Sequence, residues 1–297
     1  MTPQAPRAPR SWFLAACVLL ASCGRAPQQP PVMPAAQDAD GQPARLLSAF
    51  FGLDDGLPFT ANRLCLGAAR RDGIPVVLSH TIDEQTLQKE DFQLITRSGA
   101  THRPFCVTLA PALDTGELRT VLLVGDFGDA VEDPAATVRI VADLLSDGAT
   151  GGPVNFRGTS VGVIPLAAGP SLVLAEIVTA SQLASSGRKA GSTCPSGVHQ
   201  IVRATWTGGV RRPDGAEVGE AERLLYRVTV ERPDGSRDDI IPDALADLGD
   251  HDNNHLLCLS GTDVAVGVFF PAGHVVDPNK DLNPATRVGV RVGGGAK

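Results

Sequence analysis

The sequence predicts an all-β protein: two tandem β-sandwiches, 46–166 and 170–293, behind a cleavable export signal (1–22) and a proline-rich tether (23–45). Three observations carry that reading. Beyond residue 46 few stretches hold a 3.6-residue apolar period for three turns, whereas short apolar runs bounded by turn residues recur throughout. The pattern restarts after Ala167-Ala168-Gly169-Pro170, and the two stretches carry similar segments in the same order.

The N-terminus comes first. Arg7 and Arg10 precede the apolar run SWFLAACVLL (11–20), which is too short to span a bilayer permanently and so reads as a secretory signal. It ends in Leu20-Ala21-Ser22-Cys23-Gly24, which resembles the lipobox of bacterial lipoproteins. The resemblance implies diacylation of Cys23 after cleavage, and Gly24 in place of an Asp implies the outer membrane if the cell has one. Leu14-Ala15-Ala16-Cys17 also fits but lies only three residues into the apolar run. Loss of residues 1–22 removes two arginines and no acid, taking the formal charge from -7 to -9. The next stretch, 24–45, holds five prolines and no aromatic residue, so it cannot bury a core. At roughly 3 Å per residue it would hold the folded part up to about 60 Å from the headgroups.

Strands are expected at 74–78, 92–96, 107–109, 120–124 and 137–141, then at 171–178, 200–206, 225–230, 255–259, 264–270 and 287–292. Arg212-Pro213-Asp214-Gly215 and Arg232-Pro233-Asp234-Gly235 offer the preset φ and the glycine of tight reversals. As a repeat, the stretch from Asp91 to Gly99 aligns with Tyr226 to Glu231 and the following Pro233-Asp234-Gly235. Leu113 to Glu117 aligns with Leu248-Gly249-Asp250, each leading into a strand.

Two segments resemble bacterial Ig-like domains of the S-layer and surface-protein type: Thr81 to Phe92 (TIDEQTLQKEDF) and Phe269 to Asn283 (FFPAGHVVDPNKDLN). The resemblance implies Ig-like sandwiches serving as spacers, adhesins or accessory modules, with no catalytic residues to carry over. Lys280 stands where such domains usually have glycine.

Outside the signal, and apart from Cys23, the cysteines are Cys65, Cys106, Cys194 and Cys258, an even number with no C-x-x-C pair. That pattern favours disulfides over a tetrathiolate zinc site. Pairing Cys65 with Cys106 and Cys194 with Cys258 keeps each bridge within one half.

The composition excludes some functions. A net charge of -7, with no basic run longer than two residues, is the wrong sign for a phosphate backbone. No nucleic-acid partner is expected. No cofactor is required either, but two oxygen-rich segments have the chemistry to hold Ca²⁺. One contributes Asp250, Asp252 and Asn254, with Asp247 and Asn253 beside them; the other contributes Asp277, Asn279, Asp281 and Asn283. Asx turns are the competing use of such residues. His251, His255 and His274 are expected as solvated loop residues rather than metal ligands. Gly158-Thr159-Ser160-Val161-Gly162 matches G-x-S-x-G, but Pro165 and the joint leave no room for the helix that a nucleophile elbow needs. The expected function is therefore a lipid-anchored, non-catalytic envelope module that binds or presents an unknown protein or envelope ligand. The rival functions are a lipid-anchored hydrolase using Ser160 and a plain spacer.

Overall fold

The computed structural model describes Met1 and residues 43–114, 116–148, 152–179, 183 and 193–292. The expected signal, Cys23 and nearly all of the tether lie outside the described residues. No helix among the described residues is long and apolar enough to cross a membrane. Residues 35–297 form one compact unit.

Among the described residues sixteen strands build that unit. The first eight are β1 (Leu46–Phe50), β2 (Asp72–Leu78), β3 (Phe92–Thr96), β4 (Thr101–His102), β5 (Cys106–Thr108), β6 (Thr120–Gly125), β7 (Ala135–Ile140) and β8 (Ser160–Ile164). The second eight are β9 (Leu172–Val178), β10 (Gln200–Trp206), β11 (Arg227–Glu231), β12 (Arg237–Ile240), β13 (Ala244–Ala246), β14 (Asn254–Leu259), β15 (Val264–Phe270) and β16 (Thr286–Val292). Each set forms one eight-stranded sheet, in the orders β4-β3-β7-β8-β1-β2-β6-β5 and β12-β11-β15-β16-β9-β10-β14-β13. Neighbours are antiparallel except β1 with β8 and β9 with β16, which run parallel.

Each sheet curls over a core of its own. In the first, Ile74, Val76 and Leu78 of β2 and Val121 and Leu123 of β6 pack with Phe92, Leu94, Val138 and Ile140 of β3 and β7. Alternation explains the choice of face: Phe92, Leu94 and Thr96 point inward and Gln93 and Ile95 outward. Each large apolar side chain so buried contributes about 1.5–3 kcal/mol.

The second sheet repeats the first down to its irregularities. One bulge lies between Leu46 and Ser48 against Leu78 and Val77, and its counterpart lies between Leu172 and Leu174 against Trp206 and Thr205. Another lies where Ile95 and Thr96 face Thr137 and Ala135, and again where Thr229 and Val230 face Gly267 and Ala265. These pairings place Phe92 with Tyr226, Leu78 with Trp206, and Val121 with His255. The sequence alignment of Asp91 with Tyr226 is therefore one residue out of register. A one-residue slip would turn Phe92 outward, whereas Phe92 and Tyr226 are both buried.

The disulfides are Cys65–Cys106 and Cys194–Cys258. They end on opposite members of one equivalent strand pair: Cys106 faces Val124, and Cys258 faces Ala244. The turn motifs close as Gly215 N–H to Arg212 O (2.8 Å) and Gly235 N–H to Arg232 O (2.9 Å), both glycines at positive φ.

The halves meet through their outer faces. Gly208 lies so close to Pro75 and Phe50 that a Cβ there would sit 3.2 and 3.3 Å from them. On the second half the covered rung is ionic, Glu176 on β9 beside Arg203 on β10. The matching residues of the first half are Phe50 and Pro75. This contact is why β10 is buried on both faces, with Arg203 and Thr205 inside as well as Val202, Ala204 and Trp206.

Candidate functional site

Carboxylates gather where the β5–β6 loop of the first half meets the β13–β14 loop of the second, the same loop in each repeat. One ligand oxygen from each of Asp114, Asp247 and Asp250 lies within 4.8 Å of the others. Glu117 and Asp252 face the same cluster and are buried. Asp247 reaches in from a left-handed backbone, φ 64°. Burial raises the pKa of Glu117, Asp247 and Asp252; the hydrogen bond with Asp247 and the charge of Asp252 push Glu117 further up, whereas the hydrogen bond with Glu117 pulls Asp247 and Asp252 part of the way back. Asp250 is raised to about 6, by burial first and then by Asp252.

Positive charge enters from one side. Arg203 Nε lies 3.4 Å from Glu117 Oε1, and Arg203 Nη1 lies 3.5 Å from Glu176 Oε1 and donates to Gly116 O at 2.9 Å. Arg119 of the first half pairs with Glu176 of the second at 2.9 Å. Each of these contacts except Arg203–Glu176 crosses between the halves.

The other oxygen-bearing candidates tie their own loops together, although Asp277 Oδ2 is buried without a hydrogen-bond partner among the described residues. Asn254 donates from its backbone N–H and Nδ2 to the two oxygens of Asp252 (2.7 and 3.0 Å), and its Oδ1 accepts from Thr205 (2.8 Å). Asn283 Oδ1 accepts from the amides of His274 and Val275, and its Nδ2 donates to Pro271 O and Pro284 O. Asp277 Oδ1 accepts from the Asp281 amide (2.8 Å), and Asn279 donates to Asp281 (2.7 Å). This Asx-type loop closes with Lys280 itself at φ 71° in the usual glycine position. Of the seven expected cation ligands, only Asp250 and Asp252 join the cluster. Asp114 and Glu117 were not expected there, because nothing local in the sequence links them to a loop more than a hundred residues away.

The histidines separate. His251 is exposed and 3.6 Å from Glu217; His274 is exposed beside Phe270. His255, expected in solvent, is buried instead. Its Nδ1 lies 2.8 Å from the Tyr226 hydroxyl, which accepts from Trp206 Nε1 at 3.0 Å. Its alternation with Leu257 and Leu259 along β14 was the available signal. Burial lowers its pKa to about 4.

Ser160 is exposed and opens strand β8, pairing with Arg139. A nucleophile elbow sits instead on a strand-to-helix turn.

Two apolar features remain. A cleft of about 170 Å³ between the halves is lined by Phe50, Leu57, Pro75 and Leu122 on one side and Gly208 and Asn253 on the other. Nearby in sequence, Phe59 (83% exposed), Leu64, Leu66 (87%) and Phe105 stand in solvent. The Cys65–Cys106 bridge ties the segment that carries Leu64 and Leu66 to the one that carries Phe105, and Arg71 lies over the Phe105 ring at 4.4 Å.

In comparisons with known proteins, no family model matches the chain and no curated protein matches it significantly.

Proposed function

We propose that the chain is an exported bacterial lipoprotein, anchored through Cys23, whose halves are tandem Ig-like sandwiches acting without catalysis to bind or present a protein or envelope ligand. The Ig-like reading is supported by strand order. β1-β2-β6-β5 follows the A-B-E-D order of such domains, and β8-β7-β3 follows G-F-C, with β4 added at the edge. Two disulfides suit an oxidising compartment.

The observation that carries binding is the exposure of Phe59, Leu64, Leu66 and Phe105 on segments around the Cys65–Cys106 bridge. Large apolar side chains held in solvent by a covalent staple are organised for contact rather than for the core. Photo-crosslinking in intact cells tests it. A photoreactive residue at Leu66 should capture a discrete partner, while one at the exposed Leu282 of the second half should not. Capture at neither position would leave a spacer. In the same cells Cys23→Ala should move the chain out of the membrane fraction, and a variant that survives carbonate wash in that fraction would overturn the anchor.

A further inference from the structure

We propose that Asp114, Glu117, Asp247 and Asp250 hold one Ca²⁺ at the junction of the two halves, in a site assembled from the same loop of each repeat. The proposal is independent of where the chain is anchored and what it binds.

The donor set is all oxygen, with no sulfur or imidazole, which selects a hard cation. Oxygens bound to one Ca²⁺ at 2.3–2.6 Å lie no more than about 5 Å apart. The carboxylates of Asp114, Asp247 and Asp250 meet that limit, each pair being within 4.8 Å.

A second observation is independent of that clustering. Glu117 is 1% exposed and Asp247 4%, yet Glu117 Oε1 and Oε2 and Asp247 Oδ2 accept no hydrogen bond among the described residues. Buried carboxylate oxygens ordinarily find donors. Asp72, equally buried, accepts from the amides of Asp55 (2.9 Å) and Phe127 (2.6 Å). Glu117 faces Asp247 and Asp252 carboxyl to carboxyl, joined only where one of them holds a proton, and Arg203, the cation that reaches them, is shared with Glu176. Buried carboxyls grouped in this way can ionise together only against more positive charge than one shared guanidinium offers, and a divalent cation supplies it.

Because Asp114 and Glu117 come from the first half and Asp247 and Asp250 from the second, the ion would clamp the halves together. The acidic loop of the second half alone would not suffice.

The test is calorimetric titration of the purified, chelator-stripped full chain with CaCl₂ to about 10 mM, with melting temperature read in parallel. One Ca²⁺ per chain should bind and raise the melting temperature, with Mg²⁺ much weaker. Asp114→Asn and Asp250→Asn, at half-exposed positions where folding is not at risk, should each weaken binding about tenfold or more, as should Glu117→Gln. Asp281→Asn should change nothing. Three results would overturn the proposal: no binding and no thermal shift over that range; equal shifts with Mg²⁺; or Ca²⁺ binding that survives Asp114→Asn and Glu117→Gln, which would put the ion in the second half alone. If Ca²⁺ leaves the wild type unchanged while Glu117→Gln stabilises it, the cluster is relieved by protons rather than metal.

Discussion

Tyr226 occupies the strand position that Phe92 holds in the first half, and its hydroxyl joins Trp206 Nε1 at 3.0 Å to His255 Nδ1 at 2.8 Å. The matching trio of the first half, Leu78, Phe92 and Val121, is wholly apolar. One fold has thus been filled in two ways. The polar filling works because the indole N–H donates to the hydroxyl, whose own proton is left for a neutral imidazole.

The first prediction concerns pH. The folded pKa of His255, about 4, lies below the unfolded value of 6.5. The unfolded chain therefore takes up a proton that the folded chain refuses, and stability falls as pH drops through that window. Asp72, Asp250 and Asp277, each raised to about 6, act in the opposite sense: their folded forms hold protons more tightly, so they stabilise as pH falls. Comparing wild type with His255→Val in urea at pH 7.5 and 4.5 cancels the carboxylates. The wild type should lose about 2–3 kcal/mol more than the variant on acidification. An identical loss in both would mean that the imidazole is not held neutral in the core.

The second prediction follows from the same trio. Tyr226→Phe leaves the Trp206 N–H and His255 Nδ1 without their partner and should cost about 1–3 kcal/mol. Adding His255→Val removes one of the orphaned groups. The double variant should therefore be more stable than the sum of the two single losses predicts. Strict additivity would show that the hydroxyl does not couple the two rings.

A third prediction tests the ionic rung between the halves. Arg203→Met removes the partner of Glu117 and one partner of Glu176, stranding buried carboxylate, and should cost about 3–5 kcal/mol. Glu176 retains Arg119, so Glu117 carries most of the damage. Arg203→Met combined with Glu117→Gln should recover much of the loss in urea unfolding at pH 7.5. No recovery would place the role of Arg203 in its packing and its bond to Gly116 O rather than in charge.

What the sequence made legible was set by periodicity. β3, β10 and β15 match their expected bounds because alternating or continuous apolar runs end at turn residues. The disulfide pairing in the structure is the one that dividing four cysteines between two halves predicts. The patterns leave out β1, β4, β8, β12 and β13, of which β4, β12 and β13 are two to four residues long. LLSAF lies against the tether, and SVGVI is short, glycine-bearing and only partly buried, so neither carries a strong pattern, although their parallel pairing joins the two layers of the first sheet. The site was legible only on one side. Asp247, Asp250 and Asp252 stand out as an acidic run, but the opposing Asp114 and Glu117 are ordinary loop residues until the fold of the repeats brings equivalent loops together. The face of Arg203 was hidden for a similar reason: its burial depends on contact between halves, which no local pattern records.

The last prediction concerns the joint. Gly169 links β8 to β9 at a conventional φ, so glycine is not needed there for its backbone angles. Space is what requires it: a Cβ at this position would lie 1.9 Å from Leu282 O, 2.5 Å from Leu282 C and 3.0 Å from Asn283 Cα. All three are backbone atoms, so no side-chain rotation can relieve the contact. The backbone they belong to is held in turn by the four side-chain hydrogen bonds of Asn283, by its backbone N–H to Val275 O at 2.9 Å and by Gly273 N–H to Asn283 O at 2.9 Å. Gly169→Ala must therefore displace either the joint or the 271–284 loop, at a cost of about 1–3 kcal/mol. Ala168→Gly, next to it, adds no atom and should cost only a few tenths of that through greater freedom of the unfolded chain. Urea unfolding of the two variants separates steric from entropic effects, and a Gly169→Ala protein as stable as wild type would mean that the loop is not packed on the joint in solution.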